Sequence, residues 1–285
     1  MPPLSNLQHT LKRSANFSGI SLHTGIRARL VLRPADEDTG FVLRRVDLPG
    51  KPEIPAIADN VVDVRRATTL AVGNAHVHTV EHVLAALYGM GVDNAYIELD
   101  GAEPPIADGS SEPFIQIIRE AGTVPQTLTR TIAYIDQPVT VTQEETTIVL
   151  LPEENYRISC TVAFGPGFLT QFYSTEITQK SFVEELSAAR TFCPDYEEIE
   201  SLMEAGLIRG ASLDNAMVLK DGAIISKDGL RFADECVRHK MLDIVGDLSL
   251  VGHRLRGHVV ALKPGHPSNV ALARNIREHM RVERA

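Results

Sequence analysis

Four residues able to do chemistry together lie in two helix-like stretches far apart in the chain. Glu81 and His82 fall in "TVEHVLAALYGMGVDN" (79–94), and His239 and Asp243 in "RHKMLDIVGD" (238–247). At ~100° per residue, a helix with His239 at 0° places Asp243 near ~40°, Asp247 near ~80° and Lys240 near ~100°. Met241, Leu242, Ile244, Val245 and Leu248 fill the opposite face, which therefore packs. His-x3-Asp sets an imidazole and a carboxylate one turn apart, as a helix presents two ligands to one metal ion, although solvated helices also carry this spacing. His82 from the other helix would complete a nitrogen/oxygen set suited to Zn²⁺, and one that also accepts Fe²⁺. Three protein ligands leave a coordination position open, which points to catalysis rather than scaffolding. Glu81 could then be the general base toward an activated water, a role compatible with opposing the helix dipole. The pattern is not HExxH, so the zinc-protease signature is absent. His266 in "KPGHPSN" is expected in a rigid glycine/proline loop over the site, with Asp247 or Lys240 setting its protonation. Cys236, three residues before His239, could be a soft ligand but reads better as a buried thiol.

The elements that must position these groups have a repeated grammar. Thr79 is a suitable N-cap for the first helix, and Ala85 and Ala86 beside His82 leave room for approach. "RARLVLRPADEDTGFVLRRVD" (27–47) predicts strand, turn and strand, and "TTIVLLPEENYRISCTVAF" (146–164) repeats it, with Pro34 and Pro152 ending the first strands. Each half then runs into a histidine-bearing helix, a glycine turn and a strand, which suggests duplication. Hairpins rather than regular βα alternation favour an α+β fold: two related domains, each layering a mostly antiparallel sheet against helices. The boundary is expected at "EAGTVPQTLTR" (120–130), giving domains 1–126 and 127–285, with inserts near 60–75 and 193–222. In the second insert, "DYEEIESLMEAGLI" (195–208) spaces Ile199, Leu202 and Met203 as a helix, forming either a satellite core or an apolar ligand wall.

Composition bounds the alternatives. A chain of 285 residues with 44% hydrophobic content suits about two soluble domains. No apolar run approaches the ~18 residues of a membrane span, and no secretory signal is evident, so a cytoplasmic address is expected. A net charge of −9 disfavours nucleic acid as a partner. Arg254, Arg256, Lys263, Arg274, Arg277, Arg281 and Arg284 gather near the C-terminus as a solvated face, or one that meets a small diphosphate. Three cysteines without CxxC spacing argue against a disulfide framework and a thiolate zinc site. A monomer is the default expectation.

Several segments together resemble the UDP-3-O-acyl-N-acetylglucosamine deacetylase family, the zinc enzymes of lipid A biosynthesis. These are "TVEHVLAALYGMGVDNAYIELDGAEPPIADGSSEPF" (79–114), "SGISLHTG" (18–25), "ARTF" (189–192), "KDGLRFADECVRHKMLDIVGDLSLVGH" (227–253) and "KPGH" (263–266). The resemblance is collinear over nearly the whole chain. It implies hydrolysis of the 2-acetamido group of a UDP-sugar carrying a 3-O-hydroxyacyl chain, with the metal between two α+β domains. It further implies His82, His239 and Asp243 as zinc ligands, Glu81 as general base, and His266 as general acid or electrostatic partner oriented by Asp247. Thr191 would hold the oxyanion and Lys240 would contact the substrate. Phe192, Ile199 and the 195–208 segment would line an apolar passage for the acyl chain, with Leu22, His23 and Gly210 nearby. Peripheral contact with a membrane would be compatible with such a lipid-bearing substrate. His78 and the Cys193-Pro194 after "ARTF" depart from the family pattern, so the passage is expected to differ in shape, and Cys236, at a position commonly apolar in the family, would set a thiol close to the metal. The resemblance leaves two other readings: a different acylamino sugar as substrate, or a non-catalytic protein that binds the acylated nucleotide sugar.

Overall fold

The computed structural model describes residues 6–164, 170–193 and 196–285. Two five-stranded sheets hold most of the residues that form described strands. The first is built from β1 (Ala15–Ile20), β2 (Arg27–Pro34), β3 (Phe41–Arg45), β4 (Glu53–Pro55) and β5 (Ala95–Leu99), in the order β1-β2-β5-β3-β4. The second is built from β6 (Val139–Gln143), β7 (Thr146–Leu151), β8 (Tyr156–Ala163), β9 (Thr170–Glu176) and β10 (Gly257–Leu262), in the order β6-β7-β10-β8-β9. Pairing sense matches position by position. The β5–β3 and β10–β8 pairs are parallel, and the other neighbours are antiparallel. The repeat suspected from the residues is therefore a repeat of topology.

Alternation explains which face of each sheet packs. In β2, Ala28, Leu30 and Leu32 point inward, while Arg27, Arg29 and Arg33 point outward; in β8, Tyr156, Ile158, Cys160 and Val162 are buried. Against these faces lie α1 (Glu81–Gly89), α2 (Glu112–Ala121), α4 (Glu235–Leu248) and α5 (His266–His279), with α3 (Glu198–Glu204) out in the second insert. Every residue of α1 is buried, and α1 packs on α4, so one apolar cluster runs through both halves. The crossing is close because residue 246 is glycine: a Cβ there would stand 2.2 Å from the carbonyl oxygen of Glu81.

Both expected inserts are small three-stranded sheets. The first comprises Val61–Asp63, Thr69–Val72 and Ala75–Val77, between β4 and α1; the second comprises Phe192–Cys193, Met217–Lys220 and Ala223–Ile225. The stretch around residue 126 is not a free linker. It lies in the strand Thr123–Thr129, which pairs antiparallel with Leu7–Leu11 at the chain's beginning.

Three local expectations are corrected. Thr79 does not cap α1: it sits in the left-handed region at φ 54°, Val80 is the capping position, and the Thr79 hydroxyl bonds Glu103 instead. The helix bearing His239 starts earlier, at Glu235. His266 is no loop residue but the first residue of α5, because Pro267 is tolerated in a first turn and the Ser268 hydroxyl takes the Gly265 N–H. Pro194 and Asp195 lie outside the described residues, so the first residue of the 195–208 segment does too.

Candidate active site

The α1–α4 crossing brings His82, His239 and Asp243 together, with one potential ligand atom from each lying within 4.8 Å of the others. Asp243 Oδ1 stands 3.3 Å from His239 Nε2 and 4.0 Å from His82 Nε2. Ligands ~2.0–2.2 Å from one tetrahedral ion lie roughly 3.3–3.6 Å apart, so the cluster needs little adjustment to close around a metal. The polar bookkeeping agrees. Lys240 Nζ donates to Asp243 Oδ2 at 2.8 Å, which leaves Oδ1 buried with no hydrogen-bond partner among the described residues. His239 Nδ1 donates to the carbonyl of Ala189 at 3.0 Å, which fixes the tautomer that turns a lone pair on Nε2 toward Asp243. Burial lowers the pKa of both histidines, His82 to about 3, so both present lone pairs rather than protons. Burial alone would raise the Asp243 carboxyl, but His239, Lys240, His266 and His82 together hold it below the usual carboxylate range. This donor set fits a divalent cation.

A second constellation adjoins the first. His266 Nε2 lies 3.8 Å from Glu81 Oε1, and His266 Nδ1 lies 2.9 Å from Asp247 Oδ2. Burial works to lower the His266 pKa, but the Asp247 and Glu81 charges outweigh it and bring the value to about 9. Burial raises Glu81 to about 7; His266 pulls it down, while Asp247 and Asp243 push it up. Two residues not singled out from the sequence complete this network. Thr68, in the first insert, gives its N–H to Glu81 Oε2 at 3.0 Å and its hydroxyl to Asp247 Oδ1 at 2.6 Å. Asn269, one turn into α5, donates to Asp247 Oδ2 at 2.9 Å. A threonine and an asparagine have no distinctive spacing, so nothing in the sequence marks them.

Beside these groups opens a cavity of about 380 Å³ walled by Leu22, His23, Thr191, Phe192, Ile199 and Leu202, among others. Its walls are mostly apolar, which favours the ligand-wall reading of the second insert over a satellite core. No residue of α3 is fully buried, and Met203 is 59% exposed. The Phe192 ring joins cavity to cluster: it packs edge-on to His239 at 6.1 Å, with Lys240 Nζ 5.4 Å from its centre. Behind it, the buried Glu235 carboxylate takes the N–H and guanidinium of Arg190, fixing the chain just before Thr191. Gly210 is not part of this wall. Its N–H donates to the carbonyl of Leu22 from behind the turn, and a Cβ there would stand 2.1 Å from the carbonyl oxygen of Ser21.

The sequence model of the UDP-3-O-acyl N-acetylglycosamine deacetylase family matches residues 8–278. The chain belongs to this family. Among its relatives named UDP-3-O-acyl-N-acetylglucosamine deacetylase, that of Citrifermentans bemidjiense is 48% identical over 263 residues, 92% of this chain and 86% of the relative. That of Chlamydia felis is 45% identical over 279 residues, covering 97% and 99%, and that of Myxococcus xanthus is 44% identical over 277 residues, covering 97% and 88%. As a member of this deacetylase family, the chain is a metal-dependent deacetylase. Of the residues expected at a deacetylase site, the fold brings His82, His239, Asp243, Glu81, His266, Asp247 and Lys240 into contact, and sets Leu22, Thr191, Phe192 and Ile199 around the cavity. Cys236 is buried with its pKa pushed up to about 12 by burial, and packs with Met217 and Leu219. It is a core thiol, not a ligand. No described helix is long and apolar enough to cross a membrane.

Proposed function

We propose that this protein removes the N-acetyl group from a UDP-3-O-(3-hydroxyacyl)-N-acetylglucosamine, releasing acetate and a free amine, a step of lipid A biosynthesis. The observation that carries the reading is the three-ligand cluster with the Glu81–His266 pair beside it, joined through Phe192 to an apolar cavity. A set of two imidazoles and one carboxylate suits zinc, with Fe²⁺ as the alternative ion. His82, His239 and Asp243 would hold the ion, which when bound supplies positive charge that polarises the amide carbonyl. Glu81 takes the proton of the attacking water as the new C–O bond forms. Thr68 holds its carboxylate in place through Oε2. The Thr191 hydroxyl then stabilises the oxygen that gains charge. His266, oriented by Asp247, supplies a proton to the nitrogen as the C–N bond breaks. Lys240, beside Phe192 at the cavity end, contacts the sugar. Phe192, Ile199 and Leu22 hold the acyl chain, while Gly210 acts indirectly by seating the turn that carries Leu22.

The domain division 1–126 and 127–285, a cytoplasmic location and a monomeric state belong to the same reading. Mass spectrometry of the acylated UDP-sugar after incubation tests the chemistry. Loss of one acetyl group should stop on chelation and return with zinc. An unchanged substrate under metal-replete conditions would refute it.

A further inference from the structure

A further buried carboxylate, Glu103, has no part in the chemistry above. It is 1% exposed, and its oxygens take three neutral donors. Oε1 accepts from the backbone N–H of His23 at 2.9 Å and from the Thr79 hydroxyl at 2.9 Å, and Oε2 accepts from the N–H of Thr24 at 2.8 Å. Its own carbonyl accepts from the Ser21 hydroxyl at 2.9 Å. A buried carboxylate is costly unless its lone pairs are filled, so a chain that keeps one here gains something specific from it. What it joins is the 21–25 turn and Thr79, the left-handed residue two positions before Glu81. From the other side, the N–H groups of Arg209 and Gly210 donate to the carbonyls of His23 and Leu22. His23 is thus gripped on both sides through its backbone, while its ring meets no hydrogen-bond partner among the described residues.

That side chain faces the cavity, in a wall that includes Leu22, Arg66 and Thr191. His23 is 8% exposed, and neither ring nitrogen has a hydrogen-bond partner among the described residues. A buried polar group left unpaired is destabilising, so an imidazole without partners in the wall of a ligand cavity indicates a ligand with a polar group to meet it. Burial holds the imidazole neutral, opposed by Glu103 and aided by His266 and Arg66. A neutral imidazole offers a donor at one nitrogen and an acceptor at the other, and a hydroxyl, which can donate or accept, pairs with whichever nitrogen faces it.

We propose that Glu103 is a positioning residue that holds His23 at the head of the apolar cavity, where the imidazole hydrogen-bonds the hydroxyl of a 3-hydroxyacyl chain. The inference rests on the deacetylase reading and adds to it a determinant of acyl-chain choice.

The test is kcat and KM on two UDP-sugars whose acyl chains differ only in the 3-hydroxyl, for wild type, His23→Leu, His23→Gln, Glu103→Gln and the Glu103→Gln/His23→Leu double variant. The wild type should prefer the hydroxylated chain by about tenfold in kcat/KM, because with the other chain the ring nitrogen that meets the hydroxyl is left unpaired. His23→Leu should erase the preference chiefly by raising KM for the hydroxylated chain. His23→Gln, which keeps a donor and an acceptor, should recover part of it. Glu103→Gln should move KM in the same direction, and the double variant should be no worse than His23→Leu alone, because both act through one hydrogen bond. A preference that survives His23→Leu overturns the proposal, as does a Glu103→Gln effect that falls on kcat and multiplies with His23→Leu. Should Glu103→Gln fail to fold, Thr79→Val, which removes one of the three donors, carries the same two outcomes. A wild type inert toward both sugars would overturn the deacetylase reading itself, whereas one that turns over both equally overturns only the role of His23.

Discussion

Burial acts oppositely on two adjacent residues of α1. It pushes the Glu81 carboxyl up to about 7 and the His82 imidazole down to about 3, so one helix turn supplies a proton acceptor of useful basicity and a neutral nitrogen ligand. Separating the two roles is straightforward. Glu81→Ala should keep the metal content of the wild type, measured by elemental analysis, and lose about 10²–10⁴-fold in kcat. A variant with undiminished turnover would remove Glu81 from the base role. His82→Ala should instead lose metal. The sequence shows these residues because carboxylate and imidazole types are few and their helical phase can be computed. Thr68 and Glu103 stay hidden for the opposite reason. Their work is done by an N–H, a hydroxyl or a buried oxygen reaching groups 13 to 179 residues away, and no local pattern encodes a partner at that separation.

At the scale of elements, the site depends on how closely α1 and α4 cross. Gly246 sets that distance, and Gly246→Ala would force a methyl group against the Glu81 carbonyl oxygen, which a Cβ would meet at 2.2 Å. Overpacking of this kind costs about 1–3 kcal/mol, and here the displaced backbone carries both Glu81 and His82. The expected result is a lower midpoint of chemical unfolding together with weakened metal retention, the latter read by competition with a chelator. Unaltered metal affinity would show that the helices can part without opening the cluster. Helix phase was legible in the residues, and the structure likewise sets His239 and Asp243 of α4 together beside His82. Helix starts were not: Thr79 has the composition of a cap but its hydroxyl is claimed by Glu103, and the glycine and prolines around His266 mark a helix entry as readily as a loop.

In the molecule as a whole, a partly buried clasp grips the end of α1 remote from Glu81 and His82. Asp93 accepts from Arg254 at 2.8 Å, from Arg130 at 2.9 Å and from the N–H of His9 at 2.8 Å, while Arg254 also donates to the carbonyls of Tyr88 and Val92. Burial would raise the Asp93 carboxyl, but Arg254 and Arg130 outweigh it and hold the carboxyl below its ordinary value. A depressed pKa in the folded state stabilises above the unfolded value of ~3.9, and that contribution fades as pH falls through the folded value. Asp93→Asn should therefore cost about 3 kcal/mol near pH 7, with the gap to wild type narrowing below about pH 4. Urea unfolding at both pH values measures it, and a gap independent of pH would show that the charge is not what holds the clasp. The doubled topology was readable from matched strand–proline and helix–glycine landmarks, whereas the clasp was not, since its three side chains belong to separate stretches of chain. The division of the metal cluster between α1 and α4 also has a consequence during synthesis. His82 leaves the ribosome about 160 residues ahead of His239, which at roughly 5–20 residues per second is ~8–30 s. For that interval the nascent chain carries a helix that the folded protein buries along its whole length, without its α4 partner, so any metal held jointly by His82, His239 and Asp243 is loaded only after translation of α4, and the emerging first half is a natural client for chaperones.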